Sequence, residues 1–404
     1  MKPEELAYWA DDFEAFHKRF AGVFARSEPR AQAAKYMRGL MSAGEHRNGW
    51  QVAEVIGDRV PDRTQRLFYR AHWDADAARD ILQRFNIETF GDAEGIAILD
   101  ETGFVKKGNY SAGVQRQYCG VTGRVANCQV GTFLTYTTVH GHVFLDRRLY
   151  LPQAWCRDRE RRAKARIPAA LRYQSKPVQA MAMLRQAWKQ GVPMRWVVGD
   201  EVYGNSTPLR DLIRKQGKWY VLAVPCDTSV WGERPVVPEL KPQNPRRTRT
   251  HLAAGIAPCT TVAALVSARQ DLLWERQATS QGEKGPRCYD WTRLRVVERR
   301  GDRPGPDAWL LVRRAIDNPA EIAYYLSNAP QEIPWLTLAQ VASARFTVEQ
   351  CLEEGKGEAG LDLYAVRYWP SWYRHITLSM MAHSWLASLR KREGEKPVPG
   401  PRTG

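Results

Sequence analysis

The sequence lacks several patterns that identify common protein classes. Its seven cysteines are scattered and form no CxxC pair, so reduced thiols are expected rather than a zinc ribbon or a disulfide framework. No apolar run approaches the roughly 18–20 residues that span a membrane, and the first residues do not resemble a signal peptide. There is no GxSxG nucleophile elbow. These absences predict a cytoplasmic protein without a membrane partner and outside the α/β-hydrolase class.

Acidic residues are also scarce relative to basic ones. The chain has 60 Lys and Arg but 44 Asp and Glu, which gives a net charge of +16 and a pI near 9.6. Such a chain suits polyanion binding, nucleic acid first, although a generally basic composition is the alternative. With 404 residues, 44% hydrophobic content and 15 tryptophans, the protein is expected to fold into two or three domains.

Two aspartates each follow a short apolar run. In residues 96–108, IAILDETGFVKKG, the run ends at Asp100, and in residues 194–203, MRWVVGDEVY, a second run ends at Asp200. Short aliphatic runs next to glycine are typical of buried strands. A carboxylate at the end of such a strand is costly without a partner. For either acid alone, a helix N-cap or a turn is the simpler explanation.

The elements between the two aspartates predict how the acids lie. Strands over residues 115–121, 127–139 and 143–150 form a meander, and an amphipathic helix over residues 176–190 precedes the second acid-bearing strand. This is the order of an RNase H-like sheet, in which the two acid-bearing strands pair in parallel about 4.8 Å apart. The acids would then be near neighbours. A divalent cation relieves their repulsion, and oxygen-only ligands favour Mg²⁺ or Mn²⁺ over zinc.

The first 90 residues are predicted to be helical, over residues 3–20, 28–42, 51–56, 63–72 and 76–85. The third and fourth of these helices have the arrangement of a helix-turn-helix pair. Arg66 and Arg70 on the second of them are candidate DNA contacts. An ordinary helical bundle with a basic exposed face is the alternative.

A basic run lies between the meander and the amphipathic helix. Its members are Arg157, Arg159, Arg161, Arg162, Lys164 and Arg166. Such a run is usually a solvated surface. Here it lies on the loop side of the two acids, where a DNA backbone would approach, so we expect Arg161 and Arg162 to contact DNA.

His140 and His142 flank a glycine in the predicted hairpin turn. No cysteine or third ligand is near them in sequence. We therefore expect both to be exposed turn residues rather than metal ligands.

Residues 226–332 have a different character. A basic, proline-rich loop, KPQNPRRTRTH at residues 241–251, is followed by strand-like runs over residues 272–275, 289–297, 308–313 and 323–327. This pattern predicts a β-rich insertion. Its tryptophans include candidates for stacking on an unpaired base, although each one alone is expected in the core: Trp231, Trp274, Trp291 and Trp309.

A third carboxylate is expected on a helix near the C-terminus. Residues 336–354, LTLAQVASARFTVEQCLEE, form the best helix candidate after residue 330. On a continuous helix, Arg345, Glu349 and Lys356 fall within about 40° of one another. This stripe suits a metal-binding glutamate between two phosphate-binding cations. A surface Arg345–Glu349 pair explains the spacing equally well.

These segments together resemble the DDE transposases of bacterial insertion sequences, in particular the insertion sequence 701 family, which is related to the insertion sequence 4 family. The resemblance extends over about residues 10–390 and rests on ILDETGFVKKG, VVGDEVYG and RFTVEQCLEEGKGEAGLDLY followed by WYRHITLSMMAHSWL. Arg345-x3-Glu349-x6-Lys356 matches the R-x3-E-x6-K signature. Ala342 stands where that signature has tyrosine, so the tyrosine's phosphate contact has no counterpart here.

The resemblance implies a metal-binding triad of Asp100, Asp200 and Glu349. Two Mg²⁺ (or Mn²⁺) ions per active site would support hydrolysis at the transposon ends, followed by transfer of the 3′-OH into target DNA. The implied partners are the terminal inverted repeats and the target DNA, bound by a homodimer.

The same resemblance implies that Arg345 and Lys356 contact phosphates at the transposon end. Lys106 and Lys107, which follow the first acid, are further candidates for such contacts.

The predicted fold is therefore α/β. It comprises a helical N-terminal DNA-binding domain (residues 1–90), an RNase H-like core (91–225 and 333–392), a β-rich insertion (226–332) and a flexible tail (393–404). The expected location is the bacterial cytoplasm, in association with the nucleoid. Two other functions stay open: a domesticated, non-catalytic DNA-binding regulator with the same fold, and an RNase H-like resolvase or nuclease.

Overall fold

The computed structural model describes residues 3–42, 49–237, 255–282 and 285–394. The chain forms two compact units. The first unit comprises Met1–Gly95, Asp100–Pro193 and Thr347–Gly404, and the second comprises Ile96–Leu99 and Met194–Phe346. The basic loop at residues 241–251 and the end of the predicted tail, from residue 395, lie outside the described residues.

The helices follow one another along the chain as α1 Pro3–Lys18, α2 Ser27–Met41, α3 Gly49–Val55, α4 Asp62–Tyr69, α5 Ala75–Phe90, α6 Gln153–Arg157, α7 Arg159–Lys164, α8 Lys176–Lys189, α9 Glu201–Gly204, α10 Thr207–Lys215, α11 Val262–Ser267, α12 Trp335–Ser343, α13 Phe346–Gly357 and α14 Trp369–Gly394, with short 3₁₀ turns at Ala21–Val23 and Gly120–Thr122. Across the described ranges, no helix combines the length and apolar character needed to cross a membrane.

The strands are β1 Ile96–Val105, β2 Gln115–Cys119, β3 Arg124–Thr138, β4 Gly141–Leu149, β5 Trp196–Gly199, β6 Trp219–Val224, β7 Ser229–Trp231, β8 Thr260–Thr261, β9 Glu275–Gly282, β10 Gly285–Arg300, β11 Arg303–Ala315 and β12 Ile322–Ser327. The fold is thus mixed α/β, as predicted.

The second unit is built on a mixed sheet. Ile96–Leu99 of β1 pair in parallel with β5, which pairs in parallel with β6. From β6 the sheet continues antiparallel through β12, β11 and β10. Ala97, Ile98 and Leu99 are fully buried, as expected of a parallel strand covered on both faces. The predicted parallel pairing of the two acid-bearing strands is confirmed.

The strands of the predicted insertion continue this same sheet, because β12 pairs directly with β6. β7 and β9 pair with β10, and β8 pairs with β7. The predicted boundaries of the insertion, residues 226–332, stay a prediction. The first strand-like run, residues 272–275, is wrong as placed, since β9 begins only at Glu275.

The first unit contains the predicted meander. β2 and β3 are antiparallel, and so are β3 and β4. The hairpin between β3 and β4 turns at Gly141, whose φ of +130° favours glycine. α8 packs on β3 and β4, and α14 packs on β4, α2 and α5. Trp372, Ile376 and Met380 of α14 are buried, so this last helix fills the core of the unit.

The predicted N-terminal helices are all present, as α1 to α5. α5 runs beyond the predicted end, to Phe90. α4 packs against α2, α3 and α14, which is the environment of a bundle helix. Residues 56–61 separate α3 from α4, a longer connection than the 3–4 residues usual in a helix-turn-helix.

Two local predictions are wrong. β1 does not end at Asp100 but continues to Val105. Gly103 lies within the strand as a close-packing position and not as its boundary, because a Cβ there would lie 2.4 Å from the Cys119 Sγ. The single helix predicted over residues 336–354 is two helices, α12 and α13.

Candidate active site

Asp200 follows the paired part of β5 and begins a helix. The in-register pairing of β1 and β5 ends at Leu99 and Gly199, and the next residue along each strand is an aspartate. Oδ1 of Asp200 accepts the Val202 N–H at 2.9 Å, so Asp200 is the N-cap of α9. The simpler explanation of Asp200 as an N-cap is therefore correct, and it fixes the carboxylate at the end of β5.

The Asp200 segment is held close to β6 by a glycine. A Cβ at Gly204 would lie 1.7 Å from the carbonyl oxygen of Ala223, which no side chain tolerates. Glycine at this position therefore lets α9 lie directly against β6. This approach explains the glycine that ends the DEVYG sequence.

Asp100 lies within β1 and is mostly buried, with 9% of its surface exposed. Its Oδ1 accepts the Glu101 N–H at 2.7 Å. Successive side chains of a strand alternate between faces, so Asp100 shares a face with Thr102, while Glu101 points the other way and forms an ion pair with Lys176. The two acids of this segment therefore lie on opposite faces of β1.

α13 presents Glu349 and Lys356 on one face, since seven residues correspond to nearly two full turns. The Lys356 ammonium donates to Oγ1 of Thr102 at 2.8 Å. This contact directs the face of α13 that carries Glu349 toward the face of β1 that carries Asp100. Glu349 itself is exposed and makes no hydrogen bond or ion pair within the described part of the chain. Within the first unit, the structure thus directs the two acid-bearing faces toward each other.

Burial lowers the pKa of Lys356, although Asp362 acts in the opposite direction. Within the described ranges, the hydrogen-bond partner of the ammonium is one neutral hydroxyl. A lysine ammonium has three rotatable donors, so this partly buried cation can bond to an anion such as a phosphate while it keeps the contact with Thr102.

Arg345 is not on the helix that carries Glu349. It lies in the turn between α12 and α13, where its N–H bonds to the carbonyl of Ala342. The predicted stripe of Arg345, Glu349 and Lys356 on one helix is therefore wrong for Arg345 and correct for the other two.

Lys106 and Lys107 differ in environment although they are adjacent. The Lys106 ammonium donates to the carbonyl of Tyr364 at 3.1 Å and lies 3.4 Å from the centroid of that ring. Burial lowers its pKa to about 8, against the opposing influence of Asp362. Lys107 is exposed. Of the two, Lys107 is the one whose cation faces solvent.

The pKa of Lys106 predicts a pH-dependent stability. As the pH rises from about 8 to 10.5, the free energy of unfolding of wild type should increase relative to Lys106→Met. The reason is that the unfolded lysine, with its ordinary pKa of 10.5, still binds a proton that the folded one has lost. Urea midpoints measured by circular dichroism across this window test the expectation. Lys107→Met is the matched control and should follow wild type. Parallel curves for Lys106→Met and wild type would show that the buried ammonium keeps its proton.

Arg161 and Arg162 have separate roles. Arg162 is buried, and its Nη2 donates to the carbonyls of Pro168, Ala169 and Leu171. This guanidinium therefore holds the chain after α7 and does not face DNA. Arg161 is partly exposed and lies over the Trp155 ring, 3.7 Å from its centroid.

The arrangement of Asp100 and Asp200, directly after the paired residues of β1 and β5, can be compared with what is known of protein families. The model of a family described as DDE superfamily endonuclease matches residues 19–286, more than half of the chain. The chain belongs to this family. The match includes Asp100 and Asp200 and ends before Glu349.

This DDE-family chain is also similar to a curated protein, the probable transposase for insertion sequence element IS701 of Microchaete diplosiphon. The two are 27% identical over 176 residues, which is 43% of each chain. The DDE-family chain thus spans less than half the length of that relative.

Two solved structures show a weaker likeness to the DDE-family chain. The piggyBac transposase synaptic complex with hairpin DNA gives a TM-score of 0.45 at 10% identity, over 92% of this chain and 68% of that one. The NurA nuclease from Sulfolobus solfataricus gives a TM-score of 0.28 at 9% identity, over 72% of this chain and 86% of that one. Scores below 0.5 do not establish a shared fold.

Other predicted contacts of the DDE-family chain lie on its N-terminal helices. Arg66 and Arg70 are both exposed and line one groove together with Arg26, Lys35 and Arg63. This groove is strongly basic. The groove is compatible with both interpretations of α4, as a helix that contacts DNA and as a helix of an ordinary bundle with a basic exposed face.

The tryptophans of the predicted insertion are mainly core residues of the DDE-family chain. Trp231, Trp291 and Trp309 are buried. Trp274 is half-buried beneath Arg314, whose guanidinium lies 4.1 Å from its ring centroid. Base stacking by the three buried side chains is therefore not supported.

The interpretation of the two histidines is correct for His140 and wrong for His142. His140 is exposed. His142 is partly buried in β4, and its Nε2 lies 2.9 Å from Oε2 of Glu354. His383 of α14 approaches the same carboxylate. No sequence signal marks this cluster. His142 and Glu354 are more than two hundred residues apart in the chain, and Glu354 and His383 are almost thirty residues apart.

Proposed function

We propose that this chain is a transposase that cuts DNA at the ends of an insertion sequence and transfers the exposed 3′-OH into target DNA. The catalytic core is proposed to be RNase H-like. It would act on DNA at the nucleoid as a homodimer that binds both terminal inverted repeats. Membership of the DDE superfamily endonucleases supports the cleavage chemistry, and the similarity to a probable transposase supports the substrate.

The register of β1 and β5 is the observation that carries this proposal. The paired residues end at Leu99 and Gly199, and an aspartate follows each of them. Two carboxylates in this pattern are what a site for hard divalent cations needs, because oxygen ligands suit Mg²⁺ and Mn²⁺.

Asp100, Asp200 and Glu349 are proposed to hold the metal ions. The donor set fits, since all three offer carboxylate oxygens, and the exposed Glu349 has no protein partner to lose within the described residues. Two Mg²⁺ (or Mn²⁺) ions held by these carboxylates would supply Lewis-acid activation of the attacking oxygen and stabilisation of the leaving one. The three carboxylates would fix the position at which this chemistry takes place.

Several basic residues are proposed to hold the DNA. Lys356 extends from the face of α13 that carries Glu349, and it would contact a phosphate near the reacting bond. The other proposed contacts are Lys107, Arg161, Arg345, Arg66 and Arg70. Lys106 and Arg162 are not included, because the Lys106 cation lies against Tyr364 and Arg162 is buried.

The test is a cleavage assay with a labelled duplex that carries the element's own ends. Wild-type protein should cut at the end of the element in the presence of Mg²⁺ and should not cut after chelation. In the same reaction, the labelled 3′ end should become joined to an added plasmid. A duplex with scrambled ends is the control.

Two other outcomes would overturn the proposal. Cleavage of branched DNA without preference for the element's ends and without joining would indicate a resolvase or nuclease. Tight, salt-sensitive binding of the ends without cleavage would indicate a non-catalytic regulator.

A further inference from the structure

Three side chains from distant parts of the first unit converge on one point. His142 comes from the beginning of β4, Glu354 from α13 and His383 from α14. One ligand atom from each lies within 4.8 Å of the other two. Nε2 of His142 is 2.9 Å from Oε2 of Glu354, and Nε2 of His383 is 3.3 Å from the same oxygen.

His383 is buried without adequate hydrogen bonding. Its exposed fraction is 0%. Nδ1 has no hydrogen-bond partner in the described structure, and the nearest acceptor to Nε2 is Oε2 of Glu354 at 3.3 Å. Phe144 packs edge-on against the ring, with centroids 5.0 Å apart. A buried polar group left in this state is costly. A ligand that bonds to the imidazole would remove the cost.

The donor set matches a known class of metal site. Two imidazoles and one carboxylate are the protein ligands of many four-coordinate zinc sites, with a water at the remaining position. Ligand atoms about 2.0–2.1 Å from a tetrahedral zinc lie roughly 3.3 Å from one another. The observed separations require only small side-chain movements to reach this arrangement.

Arg390 competes for the carboxylate. Its Nη2 lies 2.7 Å from Oε2 of Glu354, and its Nη1 lies 2.6 Å from Oε2 of Glu358. Gln350 donates to Oε1 of Glu354 at 3.0 Å. Because Arg390 is 44% exposed and has Glu358 as a second partner, it can release Glu354 and stay paired.

We propose that His142, Glu354 and His383 form a binding site for a late transition-metal dication, Zn²⁺ in the first place. The nitrogen ligands select against Mg²⁺, so this site differs in metal preference from an all-carboxylate one. Bound metal would connect β4, α13 and α14 at a point five residues from Glu349. The site is independent of whether the chain cuts DNA.

The experiment uses full-length protein freed of metal with a chelator and then titrated with Zn²⁺ against a chromogenic competitor. Wild type is expected to bind one more Zn²⁺ than His142→Gln, or to bind it on the order of a hundredfold more tightly, since even outer-shell changes cost about 10–100-fold. His140→Gln is the matched control, because His140 is an exposed histidine two residues away in the same hairpin. It should bind like wild type. Mg²⁺ should not compete.

Two further measurements distinguish metal bound at this site from metal bound to other side chains of the protein. Bound Co²⁺ should give the intense visible bands of four-coordinate geometry without thiolate charge transfer, which excludes the cysteines, and His142→Gln should lose these bands. Arg390→Gln should bind Zn²⁺ more tightly than wild type, because it removes the competing cation. Equal zinc binding by wild type, His142→Gln and Arg390→Gln would overturn the proposal and leave the trio as a hydrogen-bonded network.

Discussion

Replacing Glu349 by Gln is expected to reduce Mg²⁺-dependent cleavage by on the order of a thousandfold or more. A catalytic metal ion supplies several kcal/mol of transition-state stabilisation, which would be lost with a carboxylate that holds it, and each 1.36 kcal/mol corresponds to a factor of ten in rate. Binding of the element's ends should change little, because Lys356 and the other basic residues proposed to hold the DNA remain. Cleavage of the labelled duplex and a gel-shift titration measure the two effects separately.

Glu349 is well suited to this test because its side chain is exposed and has no partner within the described residues. Its replacement removes no hydrogen bond among those residues, so we expect the variant to fold like wild type. Glu353→Gln is the matched control, since Glu353 is exposed on the same helix four residues later. Loss of cleavage in Glu353→Gln with retention in Glu349→Gln would assign the third acid to Glu353.

Glu298→Leu is expected to destabilise the second unit by about 3–5 kcal/mol, the usual cost of removing one partner from a buried ion pair. Glu298 is 1% exposed. Its Oε2 lies 2.8 Å from Nε of Arg210 and 2.6 Å from Nη1 of Arg300, and its Oε1 accepts from the hydroxyl of Tyr220 at 2.8 Å. Without the carboxylate, the buried Arg210 would have no counter-charge in this cluster.

The measurement is the urea midpoint followed by circular dichroism at neutral pH. The matched control is Asp307→Leu, which breaks the exposed pair between Asp307 and Arg234, 2.7 Å apart. That pair should contribute less than about 1 kcal/mol. Equal shifts for the two variants would show that the buried cluster contributes no more than a surface pair.

The Glu298 cluster also makes stability depend on pH. Burial raises the pKa of the Glu298 carboxyl. Arg210 and Arg300 lower this pKa by a larger amount, so the net pKa lies below the ordinary value of 4.5. The ionised Glu298 therefore makes its full contribution to the free energy of unfolding above pH 4.5, and this contribution is lost as the pH falls through the lowered pKa. The difference between wild type and Glu298→Leu should shrink as the solution is acidified below 4.5.

This cluster supports the candidate site at a distance. Arg210 also donates to the carbonyl of Gly204, the last residue of the helix that Asp200 caps. Removing Glu298 should therefore loosen the segment that positions Asp200 as well as lower stability.

The sequence predicts the acid-bearing strands well because their signal is local. A short aliphatic run followed by an aspartate occurs twice, and parallel pairing follows from the order of elements between the two. The end of β1 could not be predicted in this way. Gly103 looks like a boundary in sequence, but in the fold it is the position where the strand passes closest to Cys119.

The break between α12 and α13 could not be predicted because no glycine or proline marks Ala344 or Arg345. α12 packs on β5, β6 and β9 of the second unit, and the boundary of the first unit falls after Phe346. The break is thus set by tertiary packing. The cluster around Glu354 could not be predicted for the same kind of reason, since its members meet only in the folded chain.

The last long helix has a consequence for how this chain is made. α14 fills the core of the unit to which α2 and α5 also belong, yet it is synthesised some three hundred residues after them. At about 5–20 residues per second, translation leaves the N-terminal helices without their final packing partner for tens of seconds. During that time their apolar faces are open to chaperones. A premature stop anywhere before residue 369 would leave these faces permanently without that partner.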